Sequence, residues 1–131
     1  MIVADASALL EMLLRTDAGL VVESRLFRDG ETIHAPALVD VEVAQVLRRY
    51  VAAGAMTAAR GRLALETIER FPMDRYSHEP LLKRIWELRE NVTAYDAAYI
   101  ALAEALRAPL LTCDARLAKA PLRKVRIELI R

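Results

Sequence analysis

Apolar positions along the chain alternate between short unbroken runs and longer stretches where they return every three or four residues. These are the periods of buried strands and amphipathic helices. Met1–Ala4 predicts a strand, followed by a helix from about Ser7 to Arg15 and a second from about Gly19 to Arg28 that stops at Asp29-Gly30. Thr32–Ala35 predicts another strand, and Pro36 suits the first position of a long helix running to Ala53. Gly54 ends that helix, and Thr57 caps the next, which stops near Phe71-Pro72. Met73–Ser77 fits a short strand or a loop, and Glu79–Glu90 a further helix. TAYDAAYIALAEALR then predicts a helix, LLTC a strand, DARLAKA a short helix and VRIEL a last strand. Strands separated by helices predict a three-layer α/β/α fold around a central, mainly parallel sheet of four to five strands. A chain of 131 residues fits one domain, 1–131.

That architecture makes certain acids conspicuous. In a parallel sheet all strands present their carboxyl ends at one edge, and ligands gather there where the strand order reverses. Asp5 ends the first strand and Asp114 ends LLTCD. Asp96 lies in the first turn of a helix whose amino end points to the same edge. A fourth acid comes from PALVDVEVAQVLRRY. At about 100° per residue, Leu38, Gln45, Val46 and Arg49 fall within about 60° of Glu42, while Asp40 points about 160° away. One helix can aim only one of these two at a cleft, and spacing does not choose between them.

Each acid also has a plainer role. Asp5 and Asp114 are suited to cap the helices that follow them, Asp96 completes a T-x-x-D box with Thr93, and Glu42 can pair with Arg49. Convergence is what changes the weighing. Two carboxylates ~4 Å apart repel by about 4 kcal/mol at an effective dielectric near 20. No lysine neighbours any of the four in sequence. A divalent cation is the natural counter-ion, and oxygen ligands without His or Cys select Mg²⁺ or Mn²⁺. Such a metal site suits phosphodiester hydrolysis.

Composition narrows the alternatives. One cysteine, Cys113, excludes an internal disulfide, and two histidines, His34 and His78, support neither a zinc site nor a metal-free acid/base pair. With no basic apolar leader and no apolar run near the ~18 residues of a membrane span, a soluble cytoplasmic protein is expected, with no membrane partner. Residues 1–114 carry 13 Lys and Arg against 17 Asp and Glu, and residues 115–131 carry six against one, an acidic body with a basic tail. Hydrophobic residues reach 55%, so apolar surface outside the core is expected to serve a partner.

The segments IVADASALLE, PALVDVEVAQVLRR, TAYDAAYIALAEAL and LLTCDARLAKA resemble, in order and spacing, those of PIN-domain ribonucleases, specifically the small VapC-type toxins of bacterial toxin–antitoxin pairs. The resemblance spans Met1 to about Ala120. It implies a PIN-like fold and metal-binding, catalytic roles for Asp5, Glu42 (over Asp40), Asp96 and the more variable Asp114, with Ser7 and Thr112 as supporting hydroxyls. It also implies an endoribonuclease dependent on Mg²⁺ or Mn²⁺ that blocks translation by cutting structured RNA, tRNA or rRNA. The resemblance further implies a homodimer neutralised by a VapB-type antitoxin, with Val43, Leu47, Val51, Leu63 and Leu65 as candidates for the groove.

RNA contacts are expected from Arg15, Arg48, Arg49 and Arg116 at the cleft rim. Scarce aromatics argue against base stacking on a sheet surface. The alternatives are a PIN-fold RNA-processing nuclease outside a toxin–antitoxin pair and a non-catalytic RNA- or partner-binding module. A phosphatase with Asp5 as nucleophile is disfavoured, because Ser7 stands where dehalogenase-type enzymes carry the second Asp of D-x-D. A receiver domain needs a phosphoacceptor Asp at the end of a middle strand and a late-strand Lys, and neither is evident in this sequence.

Overall fold

The structure of the chain, a computed structural model, describes residues 1–121 and 124–131. In chain order the elements are β1 (Ile2–Ala4), α1 (Ala6–Leu13), α2 (Asp17–Leu26), β2 (Ile33–Pro36), α3 (Leu38–Ala52), α4 (Ala58–Glu69) and β3 (Asp74–Tyr76). A 3₁₀ turn (Glu79–Leu81) follows, then α5 (Leu82–Glu87), α6 (Ala94–Leu106), β4 (Leu110–Thr112), α7 (Ala115–Ala118) and β5 (Ile127–Leu129). The five strands form one sheet in the order β3-β2-β1-β4-β5, parallel at every pairing. The expected three-layer α/β class is therefore observed, with the uncertain Met73–Ser77 segment forming edge strand β3.

Strand order fixes where a site can form. From β1 the chain steps outward to β2 and β3, then returns across the sheet to β4 and β5 on the other side of β1. Right-handed crossovers in opposite directions put their helices on opposite faces, α1–α4 on one and α5–α7 on the other. The reversal falls between β1 and β4, so the crevice lies at the ends of the two strands that Asp5 and Asp114 follow.

The core accounts for the small, apolar character of α6. Every residue from Ala97 to Ala103 is buried, and the helix packs across β1, β2 and β4. Alanines at four of those positions let the helix sit close to the sheet, which holds its amino end at the strand edge. α1 and α2 cross equally tightly. A Cβ at Gly19 would meet the Glu11 carbonyl oxygen at 2.0 Å.

Two elements depart from the sequence expectations. Pro36 ends β2 instead of starting α3, because the β2–β3 ladder continues through Ala37 N–H to the Tyr76 carbonyl at 2.8 Å and keeps the backbone extended. α3 then starts at Leu38, whose N–H is capped from a distance by His78 Nε2 at 2.9 Å. The helix expected over Glu79–Glu90 is a 3₁₀ turn joined to the shorter α5. The other histidine, His34, is buried between the Thr32 and Tyr76 hydroxyls, each at 2.7 Å, so both histidines have structural partners.

Candidate active site

Asp5 anchors the strand edge. It is 6% exposed, and its side chain caps α1 by accepting from Ala8 N–H at 2.9 Å. Ser7 Oγ donates to the same oxygen at 2.7 Å, and Thr112 Oγ1 donates to the other. These hydroxyls are in turn tied to the end of β4. Ser7 Oγ accepts from Cys113 N–H and Thr112 Oγ1 accepts from Asp114 N–H, each at 2.9 Å. One short network thus locks the carboxyl ends of β1 and β4 together and fixes Asp5 from both sides.

The remaining acids arrive from three helices. Asp96 stands in the first turn of α6, where Thr93 Oγ1 accepts its N–H at 3.2 Å, completing only one half of a capping box. Asp114 caps α7 through Arg116 N–H at 2.8 Å, and the Arg116 guanidinium bonds its other oxygen at 3.1 Å. Glu42, from the second turn of α3, accepts the Tyr99 hydroxyl at 2.5 Å. The plainer capping roles are therefore real for Asp5 and Asp114, and both residues face the crevice as well.

Asp5, Glu42, Asp96 and Asp114 line a single open cavity of about 730 Å³, together with Ser7, Glu11, Arg49, Tyr95, Tyr99 and Arg116. Asp40 does not join them. It bonds Arg75 Nε at 2.8 Å beside α4, and its Oδ1 is buried without a hydrogen-bond partner. Arg49 and Arg116 lie in the cavity wall; Arg15 and Arg48 lie outside it. Arg48 is exposed but turned off the Glu42 face by one helical position, and Arg15 follows the far end of α1, about 12 Å from the strand edge where that helix begins. Thr112 is fully buried behind Asp5. Of the groove candidates, Val43 and Leu47 belong to the core and Val51 is half-buried, leaving Leu63 and Leu65 exposed on α4.

Electrostatics records the crowding. Burial raises the Asp5 carboxyl above its ordinary value, partly offset by its three hydrogen bonds, and the Asp114 charge raises it further. Burial likewise raises Glu42 against the lowering effect of the Tyr99 hydroxyl, with Asp96 and Asp5 adding to the rise. Asp96 is raised by burial and by Asp114. Asp114 alone runs the other way: burial pushes it up, but the backbone and guanidinium donors of Arg116 outweigh that and hold it low. The Cys113 thiol at the cavity wall is pushed up to about 11 by burial, so it stays protonated and unreactive at neutral pH.

Among the described residues, no three of the His, Cys, Asp and Glu side chains are gathered closely enough to enclose a metal ion. The four carboxylates are spread around the wall of the cavity. The donor set nevertheless fits a hard divalent cation: it is all oxygen, it carries surplus negative charge, and three of its members are raised by burial with a smaller contribution from neighbouring acids, which a cation would oppose.

A parallel α/β sheet with an acidic crevice at its switch point is the class that fold and site define. The PIN domain family matches residues 2–122, and the chain belongs to that family. Within it the chain falls among the VapC ribonucleases, being 42% identical over 130 residues to Ribonuclease VapC12 of Mycobacterium tuberculosis, with 99% of each chain covered. The fold is similar to that of VapBC2 from Rickettsia felis, solved bound to a DNA fragment from their promoter, at a TM-score of 0.70, 13% identity and full coverage of both chains. It is also similar to Mycobacterium tuberculosis VapC20, a sarcin-ricin loop cleaving toxin, at a TM-score of 0.68 and 15% identity, covering 96% of this chain and 99% of the other.

The residue that sequence reasoning missed is Tyr99. It lies three residues after Asp96 in an apolar helix, where nothing in the sequence marks its hydroxyl as reaching Glu42. No helix among the described residues is long and apolar enough to cross a membrane.

Proposed function

We propose that this chain is a toxin endoribonuclease that uses Mg²⁺ or Mn²⁺ to hydrolyse phosphodiester bonds in structured RNA, tRNA or rRNA, and so arrests translation. The observation that carries the reading is the convergence of Asp5, Glu42, Asp96 and Asp114 on one cavity at the switch point. Asp5, Glu42 and Asp96 would hold the cation, with Asp114 completing the set. When bound, the ion supplies charge neutralisation at the phosphoryl oxygens and lowers the pKa of water.

The chain's own groups do the rest. The Ser7 and Thr112 hydroxyls hold the Asp5 carboxylate in one orientation. Tyr99 engages one oxygen of Glu42 and fixes the orientation of its carboxylate, leaving the other oxygen for the cation. Arg49 and Arg116 draw the phosphodiester into an otherwise anionic cavity. A VapB-type antitoxin is the partner supported by VapBC2, and exposed Leu63 and Leu65 offer apolar surface to it or to a second copy in a homodimer. Cytoplasmic residence follows from an RNA target.

The test is an RNA-cleavage assay with purified protein. Internal cuts are expected with Mg²⁺ or Mn²⁺, none in EDTA, and none from folded Asp5→Asn. Cutting that persists in EDTA, or an active Asp5→Asn protein, overturns the proposal.

A further inference from the structure

Beside the acidic cavity lies a second one of about 510 Å³, walled by residues between Arg89 and Asp96 on one side and by Arg116, Leu117, Lys119 and Ala120 on the other. The two cavities share Asp96 and Arg116, so they meet at the amino end of α6. Their charges differ in sign. The first is lined by Asp5, Glu11, Glu42, Asp96 and Asp114 against Arg49 and Arg116. The second is lined by Arg89, Arg116 and Lys119 against Glu90 and Asp96.

The cations of the second cavity are held open to solvent. Arg89 donates through Nη1 to the Trp86 carbonyl at 3.0 Å, and its guanidinium lies 4.7 Å from the centre of the exposed Trp86 ring. That stacking fixes the group while leaving its charge uncompensated. Among the described residues neither Arg89 nor Lys119 forms a salt bridge to a carboxylate. Arg116 pairs with Asp114 through one nitrogen, yet its side chain is 86% exposed and keeps further donors free.

A polynucleotide strand whose scissile phosphate enters the acidic cavity must leave it, and its next phosphates are repelled by every acid they pass. The shared wall is where that repulsion changes to attraction. We propose that the Arg89–Arg116–Lys119 cavity binds the RNA backbone phosphates flanking the scissile bond, with Arg116 bridging the two subsites. Exposed Tyr95, at the wall of the acidic cavity next to Asp96, offers a face on which the intervening base can stack. The inference rests on the nuclease reading for the strand's course, and its test reads binding instead of turnover.

The experiment measures binding of a short fluorescein-labelled single-stranded RNA to Asp5→Asn protein by anisotropy across a salt series, with Arg89→Gln and Lys119→Gln added singly and together. Lys83→Gln, an exposed cation in neither cavity wall, controls for net charge. The double variant is expected to weaken binding about tenfold and to flatten the log K against log salt slope by about 1.4, as loss of two single-strand phosphate contacts requires, with Lys83→Gln unchanged. An unchanged slope and affinity in the double variant, or an equal loss in Lys83→Gln, overturns the subsite. Cutting by Asp5→Asn itself would instead overturn the nuclease site, so the two failures are told apart.

Discussion

The hydroxyl of Tyr99 donates to Oε1 of Glu42 at 2.5 Å, joining α6 to α3 across the mouth of the crevice. Tyr99 sits one turn after Asp96 on a helix whose next residues are all buried, so the element that positions one acid also orients another. The ring is 2% exposed, and its hydroxyl is the side-chain hydrogen-bond partner of Glu42 among the described residues.

Tyr99→Phe should therefore act through Glu42. Burial holds Glu42 above its ordinary range, and the Tyr99 hydroxyl pulls it back down, so removing the hydroxyl raises it further. The cleavage rate is expected to fall about tenfold, as for lost outer-shell partners, and the acidic limb of the pH–rate profile to move to higher pH. An unchanged acidic limb would place Tyr99 in the core alone.

Asp96→Asn should stabilise the metal-free fold while removing activity. A carboxyl raised on folding binds more protons in the native state, so stability is lost as pH rises through its titration. At neutral pH and in EDTA the charge is a cost, and the Asn variant is expected to melt about 3 °C higher. Its advantage should shrink below the ordinary Asp range, where the native acid is protonated. A lower melting temperature at neutral pH would mean that the carboxylate's capping role dominates.

The opposite sign applies at Arg25, a buried cation of α2 bonded to Glu31 and, at 2.7 Å, to Glu128 of β5. The Arg25 hydrogen bonds hold both glutamates below their ordinary value. Their stabilisation is present above that value, 4.5 in the unfolded chain, and is lost as pH falls through the depressed native titrations. Arg25→Met should cost roughly 3 kcal/mol at pH 7 by removing the buried cation that both acids share, leaving Glu31 only the N-terminus and Glu128 only Arg126 as partners. Urea unfolding from neutral pH downward should show the gap between wild type and variant closing in acid; a constant gap would contradict the linkage.

These relationships divide by how local their signals are. Thr57 and Thr93 as caps, Asp5 and Asp114 at strand ends and the crowded alanines of α6 are written within a few residues and could be read along the chain. Pro36 misled because a ladder to Tyr76, distant in sequence, outweighed its preference for a helix start. Asp40 was separated from Glu42 by family likeness, and its actual partner, Arg75, lies 35 residues away. Arg48 and Arg49 differ by 100° on one helix, which decides which of them reaches the cavity and is lost when both are simply counted as basic. Tyr99 carries a polar handle on a core residue, and only the packed structure reveals what that handle touches.

The central claim, that the converging carboxylates form a metal-dependent nuclease centre, is tested most directly by one rate. RNA cleavage by folded Asp96→Asn at saturating Mn²⁺ should be at least about a thousandfold below wild type, in line with losing a principal electrostatic group. Cleavage at the wild-type rate would contradict the account.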